Sequence, residues 1–324
     1  MAYRVLITEP IVDSVIQRLN EHFRVDVGER GDFNEERQLI KAIPHYDALL
    51  PMLSNPVTKD VIEAGTKLKI IANHAVGYNN IDLEAAKKNS IKVANTPDVL
   101  TQSSADLAMA LLLAVARKLC DAQQYLKEGK FQGWEPLGFL GMELKGNTLG
   151  IVGMGRIGTA FAHRAKAFGM EIIYHNRSRV DEKLEKELDA TYMESVKGLA
   201  ERADVLSLHC PLTEETHHLV NQDILDALPN HALVINTARG PVIDEEALAE
   251  ALHSGRIGGA GLDVFENEPE VHPKILNAPN CVITPHIASA THHSRKSIGM
   301  LAADAIIGVL QDKPDSEIPN LIQL

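Results

Sequence analysis

Leu149-Gly150-Ile151-Val152 is a short apolar run, and it leads into Gly153-Met154-Gly155-Arg156-Ile157-Gly158. The glycines have the spacing G-x-G-x-x-G, and Thr159 to Phe168 continues with helical periodicity. Strand, glycine turn and helix in that order form the phosphate-binding start of a dinucleotide fold. Gly153 makes the tight turn. Gly155 lets a pyrophosphate approach the backbone, and Gly158 lets helix and strand pack closely. The first N–H groups of the helix then donate to the phosphates. The glycine pattern alone is weak, and the strand before it and helix after it give it meaning.

Further β-branched runs alternate with amphipathic stretches on both sides of this motif. Val5-Leu6-Ile7, Ala48-Leu49-Leu50, Lys69 to Ala72 and Ile91 to Ala94 read as buried parallel strands, with helices over Ile11 to Phe23 and Ile81 to Lys88. After residue 145, six strands are expected: Thr148–Val152, Glu171–Tyr174, Val205–His209, Leu233–Asn236, Gly259–Asp263 and Val282–Thr284. Such alternation implies an α/β architecture of doubly wound parallel sheets. Gln102 to Lys118 is a helix that is apolar almost all round, expected to sit between two domains. Gly129 to Gly146 is rich in glycine and holds Trp134, the one tryptophan, and reads as a crossover arm. The helix expected over Ser294 to Gln311 has no sheet of its own, and its return to the first domain would make that domain discontinuous.

With 32 basic and 44 acidic residues in a chain of 324, the formal charge is −12, which argues against general nucleic-acid binding. The three cysteines, Cys120, Cys210 and Cys281, are widely spaced and form no CxxC pair, so reduced thiols, a cytoplasmic setting and no metal site are expected. The start of the chain is too short in apolar residues for a signal peptide. The longest apolar run, Leu107 to Ala116, is about half the ~20 residues that span a bilayer, so no membrane partner is expected.

An NAD site ordinarily ends its second strand with Asp or Glu on the ribose 2′-hydroxyl. Here Glu171 to Tyr174 leads into His175-Asn176-Arg177-Ser178-Arg179, with no carboxylate at that point. Asn176, Arg177, Ser178 and Arg179 offer donors that suit a 2′-phosphate, so NADP is expected over NAD. The alternative is that both arginines are solvated surface charges. Arg239, Glu268 and His286 lie at or just past the ends of three later strands, where open α/β sheets bind ligands. Spacing alone does not single them out, because the chain has 14 histidines and loop charges are ordinarily solvated.

The residues that do single them out carry a family resemblance. Gly150 to Gly158, Val234-Ile235-Asn236-Thr237-Ala238-Arg239-Gly240, Gly261 to Phe265, Pro285-His286-Ile287-Ala288-Ser289, His74 to Asp82 and Thr96 to Thr101 together resemble the D-isomer-specific 2-hydroxyacid dehydrogenases. The resemblance spans essentially the whole chain. It implies two Rossmann-like domains: a substrate domain of residues 1–99 and 290–324, and a dinucleotide-binding domain, 100–289, inserted into it. It implies a homodimer formed through the cofactor domain and the arm. It assigns Arg239 to the substrate carboxylate and carbonyl, His286 to proton transfer, and Glu268 to the imidazole. Leu53, Ser54, and the backbone N–H groups of Val76 and Gly77 become substrate contacts. Thr101, Arg156, Ile157, Pro211, Thr237, Ala238, Asp263, Ala288 and Ser289 become cofactor neighbours, with Arg239 and His286 also beside the cofactor.

The weak 2′-hydroxyl signal and Leu53-Ser54-Asn55 resemble glyoxylate/hydroxypyruvate reductases, which implies NAD(P)H-dependent reduction of a small 2-oxo acid. 2-Ketogluconate reductases share much of the pattern, and short phosphoglycerate and phosphonate dehydrogenases remain alternatives. D-lactate dehydrogenases usually keep the missing acidic residue. The same fold also serves as an NAD(H)-sensing corepressor, a binding module rather than an enzyme.

Overall fold

The structure, a computed structural model, describes residues 3–324. It divides into two units, Met1–Leu100 with Ala290–Leu324, and Thr101–Ser289.

The first unit is built on five parallel strands: β1 (Arg4–Ile7), β2 (Arg24–Val27), β3 (Ala48–Leu50), β4 (Ile70–Ala72) and β5 (Lys92–Ala94). Their order is β2-β1-β3-β4-β5, so the winding reverses between β1 and β3. β1, β3 and β4 are almost wholly buried, as expected for central strands covered on both faces. The long helix His292–Leu310 packs on β4, on β5 and on the helix Asp13–Asn20. Thr291 caps it by accepting from the Ser294 N–H at 3.0 Å, a contact worth about 1 kcal/mol. At the crossing, a Cβ on Gly299 would come within 2.7 Å of Val15, so glycine sets how closely the two helices approach. Ala302, Ala303 and Ile306 fill the same core as Val5, Ile7 and Ala72.

The second unit has seven parallel strands: β6 (Thr148–Val152), β7 (Glu171–His175), β8 (Ala190–Tyr192), β9 (Val205–Leu208), β10 (Leu233–Asn236), β11 (Gly259–Leu262) and β12 (Cys281–Ile283). Their order is β12-β11-β10-β9-β6-β7-β8, which reverses between β6 and β9. This is the dinucleotide-binding order with one strand added. Six strands are expected from the sequence, and β8 makes a seventh. It has three residues at the sheet edge and lacks the apolar run that marks a central strand. β2 gives no sequence signal for the same reason, since it is an edge strand with polar, partly exposed residues.

The helix Thr101–Ala116 lies on β10, β11 and β12 and against the helix Arg156–Ala167, all within the second unit. Leu111, Leu112 and Val115 fill that core with Ile151, Phe161 and Tyr174, which accounts for its broad apolar surface. Residues 129–146 contain no helix or strand. The three cysteines are free, and no helix among the described residues is long and apolar enough to cross a membrane.

Candidate active site

At the switch point of the second sheet, Gly153 turns the chain with φ +97°, a left-handed conformation that a side chain resists. A Cβ there would also lie 2.5 Å from the Cys210 nitrogen, and one on Gly158 would lie 2.2 Å from the Gly153 carbonyl oxygen. The first and third glycines are therefore fixed by the protein's own backbone. At Gly155, by contrast, a Cβ would meet nothing within 4 Å, which leaves the cradle open to a ligand. Gly155 is also the N-cap of the helix Arg156–Ala167, and no side chain caps that helix. Uncapped N–H groups beside open space fit a pyrophosphate.

Three side chains gather past the ends of β10, β11 and β12. The His286 Nδ1–H donates to Glu268 Oε2 at 2.8 Å. An ionised carboxylate only accepts, so Nδ1 holds the hydrogen and Nε2 is the nitrogen left for chemistry. Glu268 Oε1 accepts the Phe265 N–H at 3.0 Å, which fixes the carboxylate from behind. Burial alone would raise the Glu268 pKa. Its bonds to His286 and Phe265 and the charge of Arg239 outweigh burial, and the group lies below the ordinary carboxylate value. Arg239 is half-buried, and its guanidinium makes one hydrogen bond among the described residues, to the Ala238 carbonyl at 2.6 Å. Burial lowers its pKa, opposed by Glu268. A guanidinium is nonetheless cationic at any physiological pH, so its remaining donors are available to an anion.

His286 has φ +52°, an uncommon backbone for histidine. Its N–H donates to the carbonyls of Asp263 and Thr284, at 2.9 and 3.0 Å. Asp263 is fully buried and accepts from the Thr284 hydroxyl at 2.6 Å and from the N–H groups of Ile287 and Ala288, both at 2.8 Å. The resemblance gave Asp263 a cofactor contact. In the structure its carboxylate also holds the loop that carries His286. Burial raises its pKa against those three hydrogen bonds.

In the first unit, Val76 and Gly77 follow β4, half-buried. Their carbonyls are held from the side: Val76 O accepts from Asn95 at 2.8 Å, and Gly77 O from Asn73 at 2.7 Å. Their N–H groups have no hydrogen-bond partner among the described residues. Two successive free donors are available to an anion. Leu53 is half-buried and Ser54 exposed in the loop after β3.

The model of the family described as "D-isomer specific 2-hydroxyacid dehydrogenase, NAD binding domain" matches residues 109–288, more than half the chain. The chain is 45% identical to a glyoxylate reductase of Thermococcus onnurineus over 311 residues, covering 95% of this chain and 92% of that one. The chain belongs to the D-isomer-specific 2-hydroxyacid dehydrogenase family.

Two solved structures agree with that assignment. A protein of Thermus thermophilus superposes with a TM-score of 0.92 at 41% identity, over 99% of this chain and 100% of that one. An NADPH-dependent glyoxylate/hydroxypyruvate reductase of Sinorhizobium meliloti, in complex with NADP and malonate, superposes with a TM-score of 0.87 at 35% identity over the whole of both chains.

Within this dehydrogenase, the residues read as a 2′-phosphate site divide. Arg179 is clasped by Glu185, with Nε and one terminal nitrogen donating at 3.0 and 2.8 Å, and its guanidinium lies 5.7 Å from the Tyr192 ring centre. That corrects the expectation that Arg179 stands ready for the cofactor. Glu185 lies six residues on, in the helix Glu182–Leu188. Asn176 is partly engaged as well, because its Oδ1 accepts the Met154 N–H of the glycine turn at 2.7 Å. Arg177 and Ser178 are exposed. Thr237 Oγ1 is buried without a partner, Ala288 is buried, and Pro211 is exposed after β9. Thr101 opens its helix, half-buried, and Ser289 is half-buried too.

Proposed function

We propose that this chain reduces a small 2-oxo acid, of glyoxylate or hydroxypyruvate type, to the D-2-hydroxy acid, with NADP(H) preferred and NAD(H) also accepted. The observation that carries the reading is the His286–Glu268 pair, with a half-buried arginine in the same edge whose guanidinium bonds no carboxylate directly among the described residues. The dinucleotide supplies or accepts the hydride. Arg239 pairs with the substrate carboxylate and favours the charge that grows on the carbonyl oxygen. His286 delivers a proton to that oxygen in reduction and removes it in oxidation. Glu268 fixes the imidazole tautomer and favours its protonated form. The free N–H groups of Val76 and Gly77 are assigned to the substrate carboxylate, and Leu53 and Ser54 to its side chain. The open turn at Gly155 takes the pyrophosphate, and Thr237 Oγ1 gains a partner from the cofactor. Arg177 and Ser178 take the 2′-phosphate.

Residues 1–99 and 290–324 act as the substrate domain, and 100–289 as the cofactor domain. Leu126, Phe131, Trp134, Leu137 and Leu140 are all more than half exposed, and so much apolar surface in one segment favours a homodimer through this part of the chain. Sedimentation at micromolar concentration should give twice the monomer mass; a monomer would overturn it.

The deciding experiment is a set of initial rates for glyoxylate, hydroxypyruvate, 2-ketogluconate, phosphonooxypyruvate and pyruvate with NADPH and NADH. Highest specificity with glyoxylate or hydroxypyruvate supports the proposal. Absence of turnover with every 2-oxo acid would point to the binding module instead.

A further inference from the structure

Beyond the reaction site, the second unit brings together His217, His218 and Glu266, whose ligating atoms all lie within 4.8 Å of one another. The absence of cysteine pairs in the sequence led to the expectation of no metal site. A cluster assembled from residues 48 positions apart leaves no such spacing to find.

We propose that His217, His218 and Glu266 form a site for a divalent d-block cation of the zinc type. This inference stands apart from the proposed reaction and does not depend on it. The donor set carries the argument first. Two imidazole nitrogens and one carboxylate oxygen suit Zn²⁺, Co²⁺ or Ni²⁺, whereas Mg²⁺ and Ca²⁺ prefer oxygen throughout. Three protein ligands leave one tetrahedral position for water.

The second argument is the proximity of two of the ligands. His218 Nε2 already contacts Glu266 Oε1. The His218 backbone is left-handed, with φ +49°, and its N–H is anchored on the Pro241 carbonyl at 2.8 Å. The Glu266 N–H is anchored on Glu245 Oε1 at 2.7 Å. Between them, a Cβ on Gly240 would lie 1.9 Å from the Phe265 carbonyl carbon, so the two segments meet backbone to backbone. Two donors are thus neighbours before any ion arrives, and the ion takes the place of the proton they share, so binding should weaken as pH falls.

The third argument concerns the remaining ligand. The His217 ring stacks on that of His218, with centroids 4.1 Å apart and planes 26° from parallel. Ligands about 2.0–2.2 Å from a tetrahedral ion lie about 3.3–3.5 Å from each other. The cluster therefore has to contract by roughly 1 Å at its widest. His217 is exposed, so it can rotate to make that change, while His218 and Glu266, now in direct hydrogen-bond contact, open by roughly 1 Å to admit the ion between them.

Calorimetric titration of the metal-free full-length protein with ZnCl₂ tests the proposal, with Co²⁺ absorption as an independent reading of the ligand set. The parent should bind zinc, and the Co²⁺ spectrum should show a low-symmetry site. His217→Ala changes an exposed residue and Glu266→Gln keeps the shape of the carboxylate, so both variants should fold and show parental circular dichroism. Each should lose at least about tenfold in zinc affinity, since even outer-sphere partners of a metal cost that much. Absence of zinc binding to the parent would reduce the cluster to an ordinary histidine–glutamate ion pair. Zinc affinity unchanged in both variants would place any bound ion elsewhere. Either result overturns the proposal.

Discussion

At the carboxyl edge of the first sheet, the side chains that hold the loops are amides. Asn55 accepts from Thr8 and Met52, Asn73 and Asn80 bond each other, and Asn73 and Asn95 hold the carbonyls of Gly77 and Val76. At the same edge of the second sheet the side chains are ions: Arg239, Glu268, His286 and, buried beneath the last, Asp263. Amides fix backbone geometry without changing charge, so that edge presents donors of constant strength. Ions respond to charge that moves, so that edge suits a reaction. Two sheets with related winding thus carry different kinds of chemistry, and four measurements test how sharp the division is.

The largest effect belongs to the ionic edge. His286→Ala should lower the reduction rate by roughly 10²–10⁴-fold while cofactor binding, read by fluorescence, changes little. Near-parental turnover would move proton transfer to another group.

The next effect tests the neutrality of the first unit. Burial, with the Arg295 charge adding to it, pushes the His74 pKa from 6.5 down to about 4. The unfolded chain then binds a proton that the folded one refuses. Stability is unaffected above pH 6.5 and is lost as pH falls from there toward 4. Between pH 6.5 and 4.5 the loss from this one group is about 2–3 kcal/mol. Urea unfolding of His74→Gln should show a correspondingly smaller loss on acidification. His209 of the second unit, pushed down to about 3 by burial, adds to the parent's acid sensitivity and remains in the variant. An identical pH dependence in parent and variant would mean that His74 takes up its proton equally in the folded and unfolded chain.

Cofactor choice comes third. Arg177→Ala should lower the preference for NADPH over NADH about tenfold, the loss of one charge-assisted contact. Arg179→Ala should change it far less, because Glu185 already holds that guanidinium. Equal effects of the two substitutions on specificity would show that the Arg179 clasp opens when the cofactor binds.

The smallest effect belongs to the amide edge. Asn95→Ala removes the bond to the Val76 carbonyl and leaves the backbone bonds of Asn95 in place. It should cost about 1 kcal/mol of stability and raise KM a few-fold with kcat nearly constant. A fall in kcat with KM unchanged would show that the neutral edge takes part in the chemistry.

Both sheets are legible in the sequence wherever strands are buried on both faces, since apolar runs such as Ala48 to Leu50 and Leu233 to Ile235 record that burial directly. Edge strands β2 and β8 leave no such record. The glycine turn is legible because its pattern is contiguous: Gly158 meets the Gly153 carbonyl within the motif, although the backbone that Gly153 itself meets is that of Cys210, far along the chain. His286 and Glu268 become readable only through family likeness, because their pairing spans 18 residues and no periodicity encodes it. The Arg179–Glu185 clasp is hidden although it lies within six residues, since a helix start has to be placed before the carboxylate can be aimed. The amide network spans loops after three strands, and single asparagines in loops give no sequence signal.

His286 also sets two selective pressures against each other at one Cα. Its left-handed backbone costs on the order of 1–3 kcal/mol for a residue of this type, and glycine would relieve most of it. The substitution that the backbone would welcome removes the imidazole. A search for more heat-resistant variants, blind to turnover, would tend to erase this residue, and selection for turnover would keep restoring it. Under the proton-transfer role proposed for His286, thermal hardening and catalysis cannot be improved by the same mutation at this position.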